Sequence, residues 1–430
     1  MRLKDERNVA LLVGVSLVAG FGGTAMSLAA GVWVMDLTGS SGLAALAGLC
    51  VFGPTLVGPV LGAYADRVPT RRLLVGTNLG LAALLTTLLT VHSGAGLWLL
   101  FAVMLGYGVS HVLIDAAEAR LLTEALPADA LGSTNGARMS AQEATKLLAP
   151  LAGAGLYTWA GGGAVAVVSA GALVVSAALY ALVRAETVPV KRRRDLRRET
   201  REGLRFLRYE PAVRTPVLIA AVAMVSSGLG SAAIYAVVVD ALHRPAAFTG
   251  VLSSVQGAAS IAGGLVTGRL LGRWGETRVA AVGAAVFAIG PALQAIGWLP
   301  AVVAGSVAVG IGLPWTVVAG LTAVQRLTPA PMVGRVAASA NTLVFGPVAL
   351  GIPLGAALVT VLDHRVPLLV SAAVAVSGAL LLRPVPGAQA QRLPGSVGVP
   401  AAVDRQRGPV DEAAAGGIGQ ERYGLGDVVG

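Results

Sequence analysis

Long uncharged apolar runs recur along this chain and constrain its fold more than any other feature; VALLVGVSLVAGFGGTAMSLAAGVWVM, Val9 to Met35, is the first. A helix needs ~20 apolar residues to cross a ~30 Å hydrocarbon core, and the runs reach that length. A core helix of a water-soluble domain is shorter and keeps a polar face. A membrane barrel would alternate apolar and polar residues, and these runs do not. Composition agrees, with 13% charged residues where soluble domains carry roughly 25%. The fold class expected is an all-α integral membrane protein.

Twelve spans are expected, at about 9–35, 41–65, 73–92, 97–124, 134–158, 163–184, 213–240, 247–271, 277–297, 300–326, 336–362 and 366–383. They form two six-helix bundles, 1–184 and 213–383, joined by a basic linker, 185–212, and followed by a Gly-, Pro- and Ala-rich tail, 384–430, expected to be disordered. The single cysteine, Cys50, allows no intramolecular disulfide and reads as a small packing residue.

The net charge of +10 does not point to nucleic acid, because its placement follows the spans. Of the 32 Lys and Arg, 27 lie on one set of alternate loops and tails, and only Arg244 and Arg365 on the other. That is the positive-inside pattern. It predicts a plasma (inner) membrane protein with both termini cytoplasmic. The linker, VKRRRDLRRETREGLRFLRY, reads as an interfacial helix with Leu196, Leu204 and Leu207 toward lipid and its arginines toward anionic headgroups. A solvated charged linker is the alternative.

The halves echo each other. Asp36 closes span 1 as Asp240 closes span 7, and Gly42 corresponds to Gly250. GAYADRVPTRR at 62 is answered by GRLLGRWGETR at 268, and PADALGS at 127 by PAPMVGR at 329. Two parallel six-helix repeats are a transporter arrangement, with the substrate held between them near the midplane.

GAYADRVPTRR, on the loop between spans 2 and 3, resembles the signature loop of the major facilitator superfamily in Gly62, Asp66, Arg67, Arg71 and Arg72. The resemblance runs from about residue 9 to 383. It implies two pseudo-symmetric six-helix halves that rock about a central cavity, with this loop latching them together on the cytoplasmic side. Asp66 would then face the start of span 11, and Arg71 an acid at the end of span 4, for which Glu124 is the choice. Gly62 would let two helices approach closely. The second half has Gly272 at the aspartate position, so the implied latch is one-sided. Positive-inside anchoring alone would also account for the arginines.

Span 5 resembles the glycine-and-proline helix of proton-coupled exporters of that superfamily at Gly136, Pro150 and Gly153, while Thr145, Ala149 and Ala154 are merely small. REGLRFLRYEP before span 7 is similar to the branch holding macrolide-efflux and siderophore-export proteins.

Ionisable groups inside a span are expensive and mark function. Span 4 carries His111, Asp115 and Glu118 at i, i+4 and i+7, on one helix face. Span 5 carries Arg138 and Gln142 on one face, with Glu143 and Lys146 nearby. Proton coupling needs a buried carboxylate that a cation or substrate perturbs. Asp115 is the first choice, then Glu118 and Glu143, with Arg138 as the perturbing group. His111 is a possible shuttle, and Asp36 a possible proton entry point. Structural pairing of Glu118, Arg120, Glu143 and Lys146 is the plainer alternative.

No Walker loop, metal-ligand spacing or cofactor motif is present, and no enzymatic activity is expected. The function expected is proton-driven export of small amphiphilic or lipophilic compounds by a monomer. An uptake symporter or facilitator, and a transporter-like sensor or scaffold that no longer transports, are the alternatives.

Overall fold

The computed structural model describes residues 3–184, 196–329 and 332–381, and every regular element among them is helical. The tail, and linker residues 185–195, lie outside the described residues. Among the described residues, nine helices are long and apolar enough to cross a bilayer, and the shorter apolar helices Ser41–Val57 and Arg365–Leu380 accompany them. One of the nine, Ser133–Leu182, has 50 residues, about twice what one crossing needs. It is spans 5 and 6 folded back at Gly161.

The fold-back is a glycine effect. Gly161 has φ 78° and ψ 177°, a combination only glycine adopts without strain. Contacts with span 1 trace the reversal. Thr145 abuts Gly20, Gly153 abuts Ala25 and Gly162 abuts Trp33; descending again, Ser169 donates 3.0 Å to the Gly22 carbonyl and Leu179 abuts Gly14. Span 1, Leu3–Thr38, is thus clasped between the two arms.

Several spans expected to be continuous are interrupted, and proline is the usual cause because it removes a helical N–H and crowds the preceding turn. Span 2 runs Ser41–Phe52, passes through a 3-10 turn at Gly53–Val57 containing Pro54, and resumes as Gly58–Ala65. Span 11 is divided at Gly346 and Pro347 into Val333–Phe345 and Val348–Val361. Span 7, Pro211–Gly230, continues as Ala233–Ala236 and then a π-helical turn, Val237–Ala241, that carries Asp240.

The halves meet along two seams. On one, spans 5 and 8 approach so closely that a Cβ at Gly257 would sit 2.6 Å from the Lys146 carbonyl oxygen. On the other, spans 2 and 11 touch where Gly42 faces the Ala356 carbonyl and Leu56 faces Gly346, next to both helix breaks. Trp98, Trp159 and Trp298 stand exposed at helix ends on the side opposite the arginine-rich loops, as interfacial aromatics do.

The linker helix, Leu196–Tyr209, forms as expected, but Leu207, expected to face lipid, faces protein. Leu207 is 3% exposed and packs in one cluster with Val213, Val336 and Ala340 at the starts of spans 7 and 11. Gly203 abuts Arg335 and Ser339, and Glu202 pairs with Arg335 at 2.5 Å. Protein covers Leu207 because span 11 begins directly beneath it. Leu204 remains exposed, and the side chain of Leu196 is outside the described residues.

Candidate proton and gating site

Away from helix ends and loops, the charged side chains are confined to one half. Residues 215–239, 245–268, 279–325 and 336–362 of the second half contain no Asp, Glu, Lys, Arg or His, nor do residues 8–35 of span 1. Spans 4 and 5 hold the intramembrane charges, with His111, Asp115, Glu118 and Arg120 on the first and Arg138, Glu143 and Lys146 on the second.

Span 4, Leu97–Ala125, directs Glu118 into the first bundle, where the residue is 8% exposed. Arg138 of span 5 pairs with its Oε2, and the two side chains are 11% and 10% exposed. Tyr180 of span 6 donates 3.0 Å to Oε1. Arg138 is anchored on its far side by Nε, which donates 3.1 Å to Ser16 Oγ of span 1, while Ser16 donates to the Leu12 carbonyl. Four spans therefore meet at this ion pair. Removing one partner of such a buried pair costs about 3–5 kcal/mol, because the other charge is left uncompensated.

His111 and Asp115 share this helix face but not its burial. Leu100 and Met104 above them are 0% and 1% exposed, yet the His111 and Asp115 side chains are 59% and 65% exposed. A gap in the packing therefore reaches this stretch of the helix. His111 Nδ1 lies 3.0 Å from Asp115 Oδ2, so the pair can hold or pass a proton at the rim of the buried network. Neutral histidine would donate from Nδ1, leaving Nε2 free to accept.

Glu143 and Lys146 form an i, i+3 pair at 2.6 Å on span 5. Ser260 of span 8 also donates 3.4 Å to Glu143 Oε2, so this carboxylate touches both halves. At the opposite membrane face, exposed Asp36 accepts 2.8 Å from Tyr157, away from the network.

The signature loop is organised within the first half. Asp66 Oδ1 lies 3.6 Å from Arg120 Nη1, and Arg120 also donates to the Ala65 carbonyl. Glu124 accepts 3.1 Å from Thr70 Oγ1 at the start of span 3, in place of the Arg71 contact the resemblance implied. Arg67, Arg71 and Arg72 are exposed. The start of span 11, expected to receive Asp66, holds the linker helix through Glu202. A Cβ at Gly62 would meet nothing within 4 Å, so the close helix approach expected there is not made; Gly136 is equally open, whereas Gly153 is tight against Ala25. Neither Gly62 nor Gly136 lies at a helix crossing here. The second half carries an acid–arginine pair of its own, Glu276 to Arg326 at 3.4 Å, across the start of span 9 and the end of span 10. Its acid stands four residues after Gly272, at the first residue of the helix rather than in the loop.

Ser16, Tyr180, Thr70 and Ser260 were not singled out from the sequence. Tyr180 carried the one usable signal, a phenol inside an otherwise apolar span end; a buried tyrosine hydroxyl usually finds a partner. Among the described residues no group of three or more His, Cys, Asp or Glu is placed to hold a metal ion.

Several solved transporters share this architecture. A bacterial homologue of the iron transporter ferroportin, in an inward-facing state, aligns with a TM-score of 0.63 at 15% identity, covering 88% of this chain and 100% of that one. The nucleoside transporter NupG aligns at 0.64 and 12% identity, covering 89% and 98%. A POT family transporter in complex with a thioalcohol-conjugated peptide aligns at 0.70 and 12%, covering 87% and 95%. At such identities the fold is what is shared. No curated protein matches the sequence. The sequence itself matches the Major Facilitator Superfamily description over residues 11–238 and again over 217–409, and with the helical architecture this places the chain in that superfamily of membrane transporters.

Proposed function

We propose that the protein is a secondary active exporter, a proton-coupled antiporter of small amphiphilic or lipophilic compounds such as drugs or secreted metabolites. The observation that carries the reading is the juxtaposition on span 4 of the buried Glu118–Arg138 pair with the exposed His111–Asp115 pair. A proton can enter at the exposed pair and neutralise the buried carboxylate, which loosens the four-span contact. The uncharged interiors of the second half's spans offer an apolar wall for the body of the cargo. Export is favoured by the span 5 pattern, in which Pro150 and Gly153 pack against Gly250 and Ala25. The protein would work in the cell membrane as a monomer with its arginine-rich loops, and both termini, in the cytoplasm, where the linker arginines meet anionic lipid.

The test is accumulation of a panel of lipophilic dyes and antibiotics in efflux-deficient cells, with and without a protonophore. Wild-type protein is expected to lower accumulation only while the proton gradient stands. Asp115→Asn and Glu118→Gln are expected to abolish that effect at equal expression. Retained, protonophore-sensitive efflux in both variants would remove these acids from the coupling path, and no change with any compound would refute drug-like export.

A further inference from the structure

We infer that Tyr180 is a positioning residue for proton exchange: its hydroxyl fixes Glu118 for Arg138 and sets the pH at which that carboxylate takes up its proton. The inference rests on the proposed coupling role of Glu118 and adds a residue from a helix with no charge in the membrane.

The geometry is specific. Each oxygen of the Glu118 carboxylate has its own donor, Tyr180 at Oε1 and Arg138 at Oε2, on different helices. Tyr180 is 2% exposed and its ring packs with Leu12, Val15, Ala117 and Leu121, so the hydroxyl cannot turn to water. A neutral donor aimed at one oxygen stabilises the ionised form of the acid while leaving the other oxygen free for the cation. Arg138 cannot act alone in this way, since Ser16 holds it from behind. The titratable and charged groups around Glu118 are Asp115 and His111 on its own helix, Arg138 on span 5 and Tyr180 on span 6; span 1 presents Ser16 and no charge. Tyr180 is the single neutral donor among the described contacts of the carboxylate.

Protonation of Glu118 exchanges the acceptor for an acid. The ion pair with Arg138 is lost, and the Tyr180 contact that ties span 6 to span 4 weakens from a charge-assisted to a neutral hydrogen bond. The hydroxyl therefore couples the proton to the packing of spans 4 and 6.

The experiment is an infrared titration of purified full-length protein, following the carboxylic-acid C=O band assigned by its loss in Glu118→Gln. Tyr180→Phe keeps the ring and removes only the hydroxyl, and the midpoint is expected to rise by about 1–2 pH units, the worth of one hydrogen bond to a charged group. A fluorinated tyrosine at position 180, a stronger donor of the same shape, is expected to move it the other way. An unchanged midpoint in both overturns the inference. A shifted midpoint alongside pH-independent transport keeps Tyr180's role and refutes the coupling reading on which it rests.

Discussion

Replacing Arg138 by methionine isolates the energetic core of the site. Methionine fills the volume of the arginine stem, so the main loss is the guanidinium facing Glu118. Both side chains are about nine-tenths buried, at 11% and 10% exposure, and solvent cannot take over the carboxylate. The single variant should therefore lose about 3–5 kcal/mol of stability. Glu118→Gln in the same chain removes the stranded charge, and its amide oxygen can still accept from Tyr180. The double variant should recover to within about 1 kcal/mol of wild type, as replaced buried pairs often do. Domains of 150–250 residues shift by roughly 2–4 °C per kcal/mol and larger ones by less, so the single variant should melt on the order of 5 °C lower in detergent. Thermal unfolding followed by tryptophan fluorescence reads this directly. Additive losses, with the double variant no more stable than Arg138→Met, would refute the reasoning, because they would mean that Glu118 does not depend on Arg138 for its burial.

The seam and the linker supply two more tests. Gly257→Ala should destabilise despite the gain in helix propensity, because its Cβ would lie 2.6 Å from the Lys146 carbonyl, while Gly264→Ala, with nothing within 4 Å, should be neutral or stabilising by up to about 1 kcal/mol; equal melting temperatures for the two would contradict the close approach of spans 5 and 8. Gly203→Leu should push the linker helix off Arg335 and Ser339 and raise tryptic cleavage at Arg201, Arg205 and Arg208 several-fold, whereas Leu204→Ala, at an exposed position, should not. Unchanged cleavage in Gly203→Leu would mean that the linker is not braced against span 11.

Hydropathy made the spans legible, since a run such as Val9 to Met35 has one plausible fate in a membrane. It did not reveal the breaks at Pro54 and Pro347, because membrane helices often tolerate proline. Helical spacing put His111, Asp115 and Glu118 on one face, but did not show which would be buried; that depends on Arg138 and Tyr180 arriving from spans 5 and 6, a tertiary event that spacing along span 4 does not encode. The linker shows the same limit from another direction. Its apolar edge was readable at Leu207, while the surface covering that edge was not, and span 11 took the place assigned to lipid. Gly62 failed for a related reason: a glycine marks where a close approach is permitted, not that a partner is there.

Under the proposed function, the confinement of intramembrane charge to spans 4 and 5 would divide labour between the repeats. Substitutions across the second half, whose span interiors are free of ionisable groups, would reshape the proposed cargo-facing wall without touching the residues proposed to draw on the proton gradient. A lineage of such proteins could therefore diversify what it carries while inheriting one motor unchanged, and libraries built on spans 7, 8, 10 and 11 would explore new cargoes at little risk to the drive.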